Sequence, residues 1–207
     1  MNPTSPSLRY LALGDSYTIG ERVAPQDRWP VQLARLLVAE GIDVQAPEII
    51  ARTGWTTDEL AAAIDQAQPQ GPYALVSLLI GVNNQYRGCD VAEYRQQAGD
   101  LLHRAIALAG DQPAHVLALS IPDWGQTPFA RGQDRARIGA AIDRFNAVQR
   151  AECERLGIAF VDITPGSRQA GNDPTLIASD GLHPSGKMYA EWARLALPVA
   201  RAALTRA

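Results

Sequence analysis

Apolar and polar residues follow one another in blocks along this 207-residue chain, and the period of the blocks changes in a regular way. A short apolar run at 10–13 ends in the polar turn Gly14-Asp15-Ser16. A run of this length closed by turn residues reads as a buried strand. After a loop containing Pro25, Trp29-Pro30 opens a helix with Leu33, Leu36 and Leu37 on one face, and Gly41 takes the left-handed position that closes it. Residues 44–50 read as a second strand, placed at a sheet edge because Pro47 cannot donate to a ladder. Arg52-Thr53-Gly54-Trp55 then makes a tight connection. Thr56 and Glu59 form a capping box, and Leu60, Ala63, Ile64 and Ala67 supply the stripe of the next helix.

Residues 73–80 are apolar apart from Ser77, the pattern of a parallel strand covered on both faces, and they end at Gly81-Val82-Asn83-Asn84. Helical spacing then runs from Tyr94 through Leu108 and stops at Gly110. The strand expected at 115–121 is closed by Pro122-Asp123-Trp124-Gly125, and the polar loop with Pro128, Phe129 and Gly132 is expected to form a mobile wall. Ile138, Ile142, Phe145, Val148 and Leu156 mark a long amphipathic helix capped by Gly157, with a last strand at 158–163. A loop rich in Gly, Asn, Asp and Pro fills 165–184. Ser185 is expected to cap a terminal helix with Met188, Trp192, Leu195 and Val199 in its stripe, which Pro198 should kink or end.

Strands alternating with helices predict right-handed crossovers and an α/β fold, a parallel sheet of roughly five strands with helices on both faces. The length suits one domain over 1–207, with 1–7 as a flexible tail. In such sheets ligands bind beyond the carboxyl ends of the strands. Gly14-Asp15-Ser16, Gly54, Gly81-Val82-Asn83 and the cluster Asp180-Gly181-Leu182-His183-Pro184 should therefore meet at one edge.

Composition narrows the function classes. A net charge of -3 from 22 acids and 19 dispersed bases argues against a nucleic-acid surface. The two cysteines, Cys89 and Cys153, lack metal-ligand spacing and read as ordinary thiols. The N-terminus shows no basic stretch followed by an apolar core, and no run approaches the roughly 20 apolar residues of a membrane span, so a cytoplasmic protein is expected. The near-match to a phosphate-binding loop at 181–187 lacks its final Ser or Thr, and Ser16 is not framed by Gly-x-Ser-x-Gly. His103 and His115 have no motif partner and read as structural or surface residues.

A serine at the end of a strand is either a helix cap or a nucleophile. Acyl transfer needs a nucleophile, a base, a group that holds the base, and donors for the oxyanion. Ser16, His183 and Asp180 can fill the first three roles, since a carboxylate three residues before a histidine can reach its ring in a compact turn. The backbone N–H groups of Ser16 and Gly54 and the side-chain amide of Asn83 are the candidate oxyanion donors. Asp15 is expected to orient the turn, and Trp55, Trp124 and Phe129 are candidate pocket residues. The scheme calls for no metal and no cofactor, and activity should rise with pH as His183 loses its proton.

These blocks resemble the GDSL/SGNH hydrolases in order: Gly14-Asp15-Ser16-Tyr17, Gly54, Gly81-Val82-Asn83-Asn84, and Asp180 to Pro184 as Asp-x-x-His-Pro. The resemblance implies a three-layer flavodoxin-like fold and serine esterase, lipase, thioesterase or carbohydrate deacetylase activity. Short acyl or acetyl esters are the expected small-molecule substrates, since no long apolar lid segment is evident. The family commonly has Gly-x-Asn-Asp in the third block, so Asn84 departs from it and puts the hydrogen bonding of that loop in question. The alternative is a catalytically silent module that binds a carbohydrate or anionic ligand at the same edge.

Overall fold

A computed structural model describes residues 7–205. The strands are β1 (Tyr10–Gly14), β2 (Glu48–Ala51), β3 (Leu75–Leu79), β4 (Val116–Leu119) and β5 (Ala159–Val161), and every ladder between them is parallel. Their order across the sheet is β2-β1-β3-β4-β5, with Leu13 opposite Ile50 on one side and Leu78 on the other. β1 and β3 are thus central and buried throughout, while β2 and β5 are edges.

The helices are α1 (Ser16–Ile19), α2 (Trp29–Ala39), α3 (Thr57–Ala67), α4 (Val82–Tyr86), α5 (Val91–Leu108), α6 (Arg135–Leu156), α7 (Thr164–Ser167) and α8 (Gly186–Thr205). Successive strand side chains point to opposite faces, and the core divides accordingly. Tyr10, Ala12, Leu75 and Leu79 pack in one cluster with Trp29, Leu33 and Leu37 of α2 and Met188 and Trp192 of α8. Leu11, Leu13, Val76 and Leu78 pack in the other with Leu60 and Ile64 of α3 and Leu101 and Leu102 of α5. The result is the predicted three-layer α/β/α arrangement. No helix among the described residues is long and apolar enough to cross a membrane.

Several boundaries differ from the sequence expectation. The second strand begins at Glu48 instead of 44: Val44 makes only an isolated bridge to Leu8, and Pro47 interrupts the pairing for want of an N–H. β3, β4 and β5 stop short of their apolar runs, with Ile80, Ile121 and Ile163 fully buried beyond the last ladder pair, so apolarity there marks core and not pairing. Pro198 does not end α8, which continues to Thr205. It sits on the exposed side, where the carbonyl freed by its missing N–H can meet water, while Ala196, Ala200 and Ala203 stay packed beneath. Leu195 is 47% exposed and leaves the predicted stripe, whose place is taken by those small residues against α2.

The segment 165–184 is less irregular than expected. It contains α7, 3-10 turns at Arg168–Gly171 and Pro174–Leu176, and a bridge between Ile177 and Pro184. The Ser185 hydroxyl donates to the carbonyl of Thr175 at 2.7 Å, tying this segment to the start of α8 instead of capping the helix. Of the predicted tail, residues 1–6 lie outside the described residues, and the Ser7 hydroxyl donates to Asp43 at 2.6 Å.

Candidate active site

The turn after β1 is built around Asp15 and not Ser16. Asp15 is the N-cap of α1: its Oδ1 accepts the Tyr17 N–H at 3.0 Å, which satisfies the helix end and leaves the Ser16 hydroxyl uncommitted. Gly14 is required by space, because a Cβ there would lie 2.4 Å from the Leu79 carbonyl oxygen and 2.2 Å from Thr18 Oγ1. The chain can therefore turn sharply from a central strand and bring Ser16, 4% exposed, to the carboxyl edge of the sheet.

His183 and Asp180 arrive at that edge from the segment before α8. His183 Nδ1 lies 2.6 Å from Asp180 Oδ2, while Asp180 Oδ1 accepts the N–H groups of Leu182 and His183, each at 3.0 Å. Partial burial works to raise the Asp180 pKa, but the His183 ring and these backbone donors outweigh it and hold the carboxyl below its usual value. The aspartate therefore fixes the ring through Nδ1 and leaves Nε2 as its free nitrogen. The Tyr17 ring packs against the imidazole with centroids 5.3 Å apart, and Arg22 Nε stands 4.0 Å from Asp180 Oδ2, the oxygen that also meets His183.

Ser16, Gly54, Asn83 and His183 line a single cleft of about 160 Å³. Among the described residues neither Ser16 nor Gly54 donates its backbone N–H to a protein acceptor. Gly54 has φ +87°, a left-handed conformation that favours glycine, and Arg87 holds its carbonyl at 2.6 Å. Asn83 Nδ2 donates to the Trp55 carbonyl at 2.9 Å and lies 3.4 Å from Asp15 Oδ2. Ser16 Oγ and His183 share the cleft without a hydrogen bond between them, a spacing that unliganded sites often show.

Asp15 is 0% exposed, and burial pushes its carboxyl up to about 7, with the Tyr17 N–H offsetting part of that cost. A carboxylate with so little water around it needs donors, and among the described residues the Asn83 amide is the one side chain that supplies one. Asn84, the departure from the family pattern, is 2% exposed and faces away from the cleft. Its Oδ1 accepts the Thr57 N–H at 3.1 Å and its Nδ2 donates to Thr57 Oγ1 at 2.7 Å, so it fastens α4 to the start of α3.

Of the predicted pocket residues, Trp124 and Phe129 line the cleft and Trp55 does not. The Trp55 ring packs against the α3/α5 side of the core, because the Thr56 capping box turns the chain into α3 immediately after it. Tyr86 takes the vacant wall position, edge-on to Trp124 with centroids 5.2 Å apart. It follows Asn83 by three residues on α4, and that spacing could have revealed it. The 123–134 loop expected to be a mobile wall is anchored: Asp123 N–H donates to Ser167 Oγ at 2.9 Å, its carboxylate accepts from Arg168 at 2.9 Å, and Phe129 N–H donates to the Gly181 carbonyl at 2.9 Å.

A parallel α/β/α sheet that presents a serine, a histidine with its aspartate, a glycine and an asparagine at one edge has the layout of an SGNH hydrolase. The chain belongs to the GDSL-like lipase/acylhydrolase family, whose model matches residues 12–191. No curated protein matches the sequence. Among solved structures it is similar to TesA (23% identity over 95% of this chain and 99% of that one, TM-score 0.75). It is also similar to a lipase/acylhydrolase from Enterococcus faecalis (18%, 94% and 95%, TM-score 0.72) and to an acetyl xylan esterase from Geobacillus stearothermophilus (20%, 97% and 97%, TM-score 0.69).

Proposed function

We propose that the protein is a serine esterase that cleaves short acyl or acetyl esters through an acyl-enzyme on Ser16. The observation that carries this reading is the 2.6 Å His183–Asp180 pair opening onto the same cleft as Ser16, Gly54 and Asn83. His183 Nε2 takes the proton from Ser16 Oγ as the oxygen attacks the ester carbonyl. The tetrahedral oxyanion is met by the Ser16 and Gly54 N–H groups and the Asn83 amide, which exchanges its long 3.4 Å contact with Asp15 for the oxyanion and keeps its bond to the Trp55 carbonyl. As it collapses, the carbon–oxygen bond to the alcohol breaks and the alcohol leaves with the proton held by His183. Water then attacks the acyl-enzyme with the same histidine as base, releasing the acid and restoring Ser16. A cleft of about 160 Å³ suits a short acyl group.

A fluorophosphonate probe tests this directly. Its phosphorus should be found on Ser16 by peptide mass mapping, and Ser16→Ala should abolish both labelling and hydrolysis of 4-nitrophenyl acetate while the far-UV spectrum is unchanged. Hydrolysis retained by Ser16→Ala refutes the mechanism. Absence of labelling and of turnover in the parent chain supports a silent binding module.

A further inference from the structure

A second cavity, about 410 Å³, shares Tyr86 and Trp124 with the cleft that holds Ser16. Its other walls include Arg137 and Arg144 of α6, which are seven residues apart and so lie on one face of the helix, with Gln133 and Asp134 before the helix and Gln85 on α4. Most arginines on nearby surfaces are paired. Arg95 and Arg155 hold Glu152, Arg150 holds Asp162, and Arg168 holds Asp123 and Asp143. Among the described residues Arg137 and Arg144 have no acidic group within 4.0 Å of their guanidinium nitrogens.

The donors and acceptors of this cavity do not balance. The Trp124 indole N–H donates to Gln85 Oε1 at 2.7 Å, which orients that amide and leaves the two Nε2 hydrogens without a protein acceptor. Asp134 is the one carboxylate in the wall, and its Oδ1 already caps α6 by accepting the Arg137 N–H at 3.0 Å. Two guanidinium groups and the Gln85 amide therefore face a space whose side-chain acceptors are the rest of the Asp134 carboxylate and the Gln133 amide oxygen, so donors outnumber acceptors. That composition suits an anion with several oxygens, which guanidinium groups bind through paired donors.

We propose that this cavity is a subsite for an anionic group, phosphate or carboxylate, on the alcohol arm of the ester, held by Arg137 and Arg144. The proposal rests on the esterase reading for the orientation of the substrate. The small cleft takes the acyl group, and the alcohol arm passes over the Tyr86–Trp124 wall, where the exposed Tyr86 ring offers apolar surface to a short methylene chain.

The test uses Ser16→Ala as the binding background and three acetates with matched arms: 4-acetoxybutyl phosphate, 5-acetoxypentanoate and the uncharged 4-acetoxybutyl methyl ether, titrated by calorimetry or NMR. At least one anionic ester should bind about tenfold tighter than the ether, and the anion preferred identifies the group. Adding Arg137→Gln and Arg144→Gln should reduce the preference to about twofold or less, as should 0.5 M NaCl. Arg155→Gln, on the same helix but paired with Glu152, should keep it. Equal binding of the three esters overturns the proposal. So does a preference that survives the double substitution, or one lost equally in Arg155→Gln. Because this background needs no turnover, the esterase reading is judged separately, by hydrolysis of the methyl ether ester by the parent chain.

Discussion

Replacing Asp15 by Asn should stabilise the protein at neutral and alkaline pH while slowing it. In the folded chain the Asp15 carboxyl is pushed up to about 7, against 3.8 for a solvated aspartate, because the group is wholly buried beside Ser16. A folded-state pKa above the unfolded value means that the protonated form favours folding. This contribution is fully present below pH 3.8 and is lost as pH rises through about 7. At about 1.4 kcal/mol per pH unit, the loss amounts to roughly 4 kcal/mol by pH 8. Asparagine keeps an acceptor for the Tyr17 N–H, now at 3.0 Å, and has no proton to lose. Urea unfolding at pH 4, 6 and 8 should show Asp15→Asn equal to the parent at pH 4 and more stable by up to roughly 4 kcal/mol at pH 8. Activity should move the other way. The new amide either turns its N–H toward Asn83 Nδ2, 3.4 Å away, or abandons Tyr17, so kcat should fall about tenfold. Parallel stability curves for parent and variant across this range would refute the reasoning, as would a variant less stable at pH 8.

Asn83→Ala should lower kcat by about 10²-fold or more with little change in KM, measured on a chromogenic ester, since an oxyanion donor acts on the transition state and not on the bound substrate. Arg168→Ala leaves the Asp123 carboxylate, 1% exposed, without its guanidinium partner. It should cost about 1–3 kcal/mol in urea unfolding and raise KM more than it lowers kcat, because Asp123 anchors the loop that carries Trp124 and Phe129. Burial pushes the Cys153 thiol up to about 12, whereas Cys89 is partly exposed. Ellman's reagent at pH 8 should therefore titrate one thiol in the native protein and two in urea.

The order of strands and helices was legible because each block had its own period and its own closing residues. Tyr73 through Ile80 has the pattern of a central strand and contains β3, and Gly157 sits at φ +71° where α6 ends. Strand ends were less legible: Ile80, Ile121 and Ile163 are equally apolar whether they pair or merely fill the core. At the site, Asp180 and His183 could be read because three residues of chain dictate their contact. The sequence pattern puts Trp55 at the cleft and leaves Tyr86 out of it for a common reason. Neighbours in sequence diverge in direction once a capping box or a short helix intervenes, and residue type alone does not say which ring faces the cleft.

The short helix α4 makes the walls of the cleft interdependent. Its successive side chains go in different directions: Asn83 to the cleft, Asn84 to Thr57, Gln85 to Trp124 and Tyr86 to the aromatic wall, while Arg87 just beyond it reaches the Gly54 carbonyl. Five residues supply too few internal hydrogen bonds to hold a helix in place, so these side-chain bonds determine where it sits. Asn84 is the most buried of the ties and meets Thr57 with a donor and an acceptor at once. A carboxylate could only accept, and the Thr57 hydroxyl would then have to turn toward it and away from Gln97. The departure from the family pattern thus gives this chain a neutral, doubly bonded strut between α3 and α4. Because the same helix carries the amide beside Ser16 and the ring shared by the two cavities, a shift of the strut would move the proposed oxyanion donor and the proposed path of the alcohol arm together.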